Sequence, residues 1–154
     1  MDAEKPRTPK PWIDVTAHLP QLESKPFLVA AARAEELAEV LPGLGFRLVR
    51  VELPHGVADP EETLLVELTR ALEFSPLGAG SWAAYSDRLW DLQTEAEEMP
   101  VAILISGLDR LVRSNIHGLL RCVHNLLSMT EAVGLSDPGA DLQVEYFFIG
   151  AWSD

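Results

Sequence analysis

Apolar positions along the chain fall into short alternating or continuous runs, separated by longer stretches with a helical period. Phe27 to Ala32 is a short apolar run that leads into a helical segment from Ala34 to about Leu41, which Pro42-Gly43 and Gly45 are expected to stop. Phe46 to Leu53 alternates through Phe46, Leu48, Val49, Val51 and Leu53, the pattern of a strand. Asp59-Pro60-Glu61-Glu62 then reads as a helix start. Asp59 can cap free backbone donors, proline loses nothing at the first helical position, and the acids suit the positive end of the helix dipole. Leu64, Leu65, Leu68, Ala71 and Leu72 give that helix one apolar face.

A glycine-rich turn, Pro76-Leu77-Gly78-Ala79-Gly80, separates it from a second helix starting near Ser81. Met99 to Ser106 is a continuous apolar run, expected of a strand buried on both faces. Leu108 to Val133 has a helical period, with Gly118 as a candidate break. Gly134 to Asp141 reads as a loop, and Leu142 to Ile149 as a last strand. Strands alternating with helices predict an α/β fold, a small parallel sheet with helical covering.

Before this pattern lie residues 1–25, where Pro6, Pro9, Pro11 and Pro20 stand among balanced charges with no period. An extended arm or irregular cap is expected there, with Trp12 and Ile13 able to dock, and a single α/β domain over 26–154. Four acids and four bases cancel within the arm, which leaves 20 acidic and 8 basic residues in the remainder. The composition is ordinary for a globular chain, 47% apolar and 23% charged. The net charge of −12 is not. It argues against binding nucleic acid or an anionic membrane, both of which need a positive footprint, and for a basic protein partner. The charged N-terminus has no apolar run behind it and no stretch approaches the ~18 apolar residues of a spanning helix, so a cytoplasmic protein is expected.

Catalytic and cofactor motifs are weak. Gly43-Leu44-Gly45 and Gly78-Ala79-Gly80 lack the spacing of phosphate-binding loops, and the single Cys122 excludes an internal disulfide or a cysteine zinc site. His117 and His124 share a helix face without the further ligands a metal needs. No cofactor, metal or enzymatic nucleophile can be nominated. An enzyme or small-molecule binder would instead require a deep polar pocket at the carboxyl ends of the strands.

The informative segment is Gly80 to Glu98. On a helical wheel Trp82, Tyr85, Leu89, Leu92 and Ala96 occupy one arc of about 80°, the face expected to pack on the sheet. Asp87 and Asp91 point the other way, with Thr94 and Glu98 continuing their row and Trp90 at its edge. Like charges one turn apart cost a few tenths of a kcal/mol, and a tryptophan beside two aspartates has the form of an interface anchor.

The run Trp82-Ala83-Ala84-Tyr85-Ser86-Asp87-Arg88-Leu89-Trp90-Asp91-Leu92 resembles the signature of the barstar family, whose members inhibit or confer immunity to ribonucleases. That family carries Asn-Leu-Asp-Ala-Leu-Trp-Asp-Cys-Leu after a Tyr-Tyr-Gly turn, and its order of elements is similar over residues 46–150. Phe27 to Leu41 would be an additional strand and helix in front of three core strands. Two registers are open. Matching Leu89-Trp90-Asp91 to the family's Leu-Trp-Asp puts its two functional acids at Asp87 and Asp91. Shifting by one turn keeps Gly78 as the turn glycine, with Pro76-Leu77 at the paired tyrosines and Asp87 as the main acid.

The resemblance implies an inhibitor without catalysis, which blocks a ribonuclease or related toxin through its acidic helix. It places the contact surface at Asp87, Asp91, Trp90, Trp82, Ser86, Gly80 and Ser81. Trp82, Tyr85 and Trp90 would act as anchors or supports, with Trp90 favoured as contact and Tyr85 as core. The family's acid on the later helix falls near Met129, with Glu131 as a nearby substitute. The alternative is the same fold used as a binding or regulatory module with no nuclease partner.

Overall fold

The computed structural model of the chain describes residues 13–19, 22, 25–77, 79–95, 100–136 and 143–152, with the side chains of 90–95 and 132–136 outside that description. Four strands, β1 (Phe27–Ala30), β2 (Arg47–Glu52), β3 (Val101–Ser106) and β4 (Val144–Gly150), form one all-parallel sheet in the order β1-β4-β3-β2. Helices cover both faces: α1 (Val15–His18), α2 (Ala34–Leu44), α3 (Pro60–Ala71), α4 (Trp82–Glu95), α5 (Leu111–Ser114) and α6 (Ile116–Ser136). The expected α/β class is therefore present, with the N-terminal strand as a genuine fourth member of the sheet.

The strand order explains which helix lies where. The chain crosses from one edge to the other between β1 and β2, then returns one strand at a time. Crossovers of one hand that travel in opposite directions must leave their helices on opposite faces. Accordingly, Leu37 and Leu41 of α2 pack with Val29, Ala102, Leu104, Phe147 and Ile149 on one face. Leu64, Leu65 and Leu68 of α3, Tyr85 and Leu89 of α4 and Leu119, Cys122 and Leu126 of α6 pack with Val101, Ile103, Ile105, Tyr146 and Phe148 on the other. Neighbouring residues of β3 and β4 thus alternate between two cores, which is why both strands read as unbroken apolar runs.

Several boundaries differ from the sequence pattern. Helix α2 runs through Pro42-Gly43 to Leu44 and ends at Gly45, whose left-handed φ of 110° lets Phe46 N–H reach the Leu41 carbonyl. Proline in the last turn costs one internal hydrogen bond. The break in the later helical stretch lies at Asn115, not Gly118. The Asn115 side chain turns back to accept the Gly118 N–H at 2.9 Å and caps α6, and a Cβ on Gly118 would meet Asn115 Nδ2 at 2.6 Å. Gly118 is thus the residue that admits the cap. Helix α6 also continues past Gly134 to Ser136, where a loop is expected from the sequence; residues 137–141 of that loop, and Leu142 of the expected last strand, lie outside the described residues.

The proline-rich arm joins the folded unit earlier than residue 26. Asp14 accepts the Ala17 N–H and starts the single turn α1. Val15, Leu19 and Leu22 are buried against the α2 face. The Gln143 side chain holds Ile13 from both sides, accepting its N–H at 3.0 Å and donating to its carbonyl at 2.8 Å. Ile13 docks, as was open to it; Trp12 lies outside the described residues.

Candidate functional site

The acidic helix is built from its N-terminal turn upward. Asp59 caps α3 through the Glu62 N–H at 3.1 Å, as its sequence predicts. The connection out of α3 ends at Gly80, whose φ of 96° and close approach to Glu62 (2.9 Å from an added Cβ to Cγ) leave no room for a side chain. Ser81 is exposed and caps α4 by accepting the Ala84 N–H at 3.3 Å.

Within α4, Tyr85 and Leu89 are buried at 2% and 0% exposure, while Asp87 is exposed and Ser86 half-buried. The wheel assigns Tyr85, Leu89 and Asp87 correctly. Trp82 is half-buried, edge-on to Tyr85 at 6.5 Å, and donates its indole N–H to Glu61 Oε1 at 3.4 Å. Of the two roles open to Trp82, support of the helix is the one this geometry supplies. Trp90 and Asp91 lie on α4 by backbone, but their side chains, with that of Leu92, lie outside the described part, as do residues Gly78, Ala96 and Glu98.

Two side-chain networks tie α4 to its surroundings. Glu61 of α3 holds Trp82 with one carboxylate oxygen and Arg121 of α6 with the other, at 3.0 Å from both Nε and Nη2. The hydrogen bond and charge of Glu61 raise the Arg121 pKa. Deeper in, Tyr85 OH lies 2.7 Å from Tyr146 OH on β4, which lies 2.7 Å from Thr130 Oγ1 on α6. Burial chiefly raises both phenol pKa values, that of Tyr146 to about 12. These hydroxyls stay protonated through the physiological range.

Glu131 is exposed and follows Thr130 directly, so the second acid also stands beside this network. Met129, the nearest match to the family's acid, is partly buried against the core. Helices α4 and α6 pack on one another, which puts Asp87 and Glu131 on two adjoining helices.

Sequence reading missed Leu77, Glu61, Tyr146 and Thr130. Leu77, in the turn leading to α4, is 77% exposed, the most exposed large apolar side chain among the described residues. Its signal was available, since one of the two registers aligns it with a family tyrosine. In the sequence Glu61 is only a charge in the first turn of α3.

The carboxyl ends of β2, β3 and β4 border an open cleft of about 400 Å³ lined by Glu35, Arg50, Glu52 and Ser106. Arg50 is committed to Glu35 at 2.9 Å, both exposed, so its charge is already paired within the protein. Cys122 is buried, and its thiol is pushed up to about 12, mainly by burial, which makes it inert as a nucleophile. His117 and His124 are exposed, and among the described residues no three His, Cys, Asp or Glu side chains are grouped to hold a metal. No helix of the described residues is long and apolar enough to cross a membrane.

No protein-family model matches this chain, and no curated protein matches it.

Proposed function

We propose that this chain is a barstar-like protein inhibitor that binds a basic ribonuclease, or a related toxin domain, and blocks its active site with acidic side chains. The observation that carries the reading is Asp87, exposed on α4 while Tyr85 and Leu89 lock the opposite side of the helix into the core. A carboxylate held on a rigid helix suits a cleft lined with Arg, Lys and His for phosphate. Occupying those cations excludes RNA without any catalytic step. Asp91 follows one helical turn later in the sequence, Gly80 and Ser81 set where the helix begins, and Ser86 flanks Asp87. Glu131 adds a second acid from α6, and Leu77 supplies an apolar contact at the rim. Long-range attraction between a chain of net charge −12 and a cationic enzyme speeds their encounter. The chain itself is read as neither an enzyme nor a binder of cofactors, nucleic acid or membranes, acting in the cytoplasm.

The test is inhibition of a panel of small basic microbial ribonucleases at low and moderate salt. Stoichiometric inhibition, lost in an Asp87→Ala/Asp91→Ala double variant that still folds, is the expected result. Absence of inhibition across the panel would move the reading toward a binding or regulatory module of the same fold. Inhibition unaffected by the double variant would remove α4 from the contact surface.

A further inference from the structure

We infer that the buried hydroxyl chain Tyr85–Tyr146–Thr130 is a positioning device that sets α4 and α6 against the same strand and so presents Asp87 and Glu131 in one fixed relation. The partner-facing part of this inference rests on the inhibitor reading; the positioning itself does not.

Three observations lead to it. The first is chemical. Tyr85 and Tyr146 are each 2% exposed within an otherwise apolar core, where phenylalanine would fill nearly the same space. A hydroxyl there is costly unless bonded, and both bonds in the chain are 2.7 Å. The second is mechanical. Among the described side chains, α4 is buried at Tyr85 and Leu89, with Trp82, Ala84, Ser86 and Arg88 half-buried. Apolar packing is non-directional and resists separation better than rotation about the helix axis. A directed hydrogen bond between the Tyr85 and Tyr146 hydroxyls resists that rotation, and rotation is the motion that would swing Asp87.

The third observation is where the chain ends. Tyr85 is two residues from Asp87, and Thr130 directly precedes Glu131, so each terminus of the hydroxyl chain sits beside one exposed acid. Trp82–Glu61–Arg121 joins α4 to α6 a second time through a third element. A surface built from two helices gains affinity when their relation is set before binding, because less ordering remains to be done in the complex.

The experiment is amide hydrogen exchange on the full chain, comparing wild type with Tyr146→Phe, which keeps the ring and removes both bonds, and with Thr130→Val, which severs only α6. Tyr85→Phe is the milder companion, because it leaves the Tyr146–Thr130 bond intact. The positioning role predicts that Tyr146→Phe and Tyr85→Phe speed exchange of the α4 amides from Tyr85 to Leu89 by about tenfold or more, with β3 and β4 within about twofold of wild type. Thr130→Val leaves α4 within about twofold of wild type and loosens the later turns of α6. Unchanged α4 exchange in Tyr85→Phe, or an equal rise across α4 and the sheet, overturns the proposal. With a ribonuclease that the wild type inhibits, the same tyrosine variants should dissociate several-fold faster at an unchanged association rate. If the wild type inhibits nothing, the inhibitor reading fails visibly and separately, and the exchange result still decides the positioning.

Discussion

At the scale of single residues, Asp87 and Leu89 separate binding from folding because they sit on opposite sides of one helix. Asp87 is exposed, so Asp87→Ala should leave urea stability within about 0.5 kcal/mol of wild type. The same change should weaken binding to an inhibited ribonuclease by about tenfold or more, as expected when a charge-assisted hydrogen bond is lost. Leu89 is fully buried, and Leu89→Ala should cost about 2–5 kcal/mol in the same denaturation. A result in which Asp87→Ala unfolds the protein, or Leu89→Ala does not destabilise it, would contradict the assignment of the two faces. Tyr85 and Tyr146, the two tyrosines of the chain, give an optical handle as well. Both are buried with raised pKa values, so tyrosinate absorbance should stay absent past pH 10 and appear together with unfolding. Early titration of either phenol would mean that its hydroxyl is accessible to water.

At the scale of elements, the local capping chemistry is what makes the helices start where they do. Asp59-Pro60 states the beginning of α3 in the sequence and the structure keeps it, because the cap bond joins neighbours and needs nothing distant. Asn115 was less legible. Its cap onto Gly118 has the form of an ordinary helix start, yet the apolar period runs across it and hides the break. Asn115→Ala should therefore cost about 1 kcal/mol. That loss should be measurable as a lower midpoint in thermal or urea unfolding; an unchanged midpoint would remove Asn115 as a cap. The sequence places the end of α2 near Leu41 and offers Pro42-Gly43 and Gly45 as its stop, of which only Gly45 acts. Proline and glycine both signal a stop, but the residue that ends the helix is the one able to take a left-handed φ, Gly45. Likewise Gly134 did not end α6, since one glycine within an otherwise helical turn costs only about 1 kcal/mol.

At the scale of the whole molecule, charge and burial set how the protein responds to its surroundings. With a net charge of −12, association with a cationic nuclease should slow by roughly tenfold or more from low to moderate salt, while dissociation changes little. Stopped-flow binding at several ionic strengths measures this, and a salt-independent association rate would remove the steering argument. Stability should also depend on alkaline pH in a defined direction. Cys122 and Tyr146 both have folded pKa values raised to about 12, from ordinary values of 9.0 and 10.0. The unfolded chain therefore loses these protons first as the pH climbs. Stability from these groups is complete below about pH 9 and declines from there toward pH 12. Urea midpoints across that range should fall, and Cys122→Ala should flatten the early part of the fall.

By itself the sequence determined the kind and order of the main elements from Phe27 onward, the fact that β3 lies under cover on both sides, and the exposure of Asp87. These follow from periods of two and 3.6, from caps between neighbours and from charge count, all of which are local or summed properties of the chain. Tertiary structure alone decided how α4 is held. Tyr85 and Tyr146 are 61 residues apart and Glu61 and Arg121 are 60 apart, distances over which no local pattern carries information. Tyr146 reads in the sequence as one more apolar position of a buried strand. Only the parallel register of β4 beside β3, with α4 and α6 laid over the same face, turns its hydroxyl toward Tyr85 and Thr130. That meeting depends on which helices share a face, and the face is set by the direction in which the chain crosses the sheet.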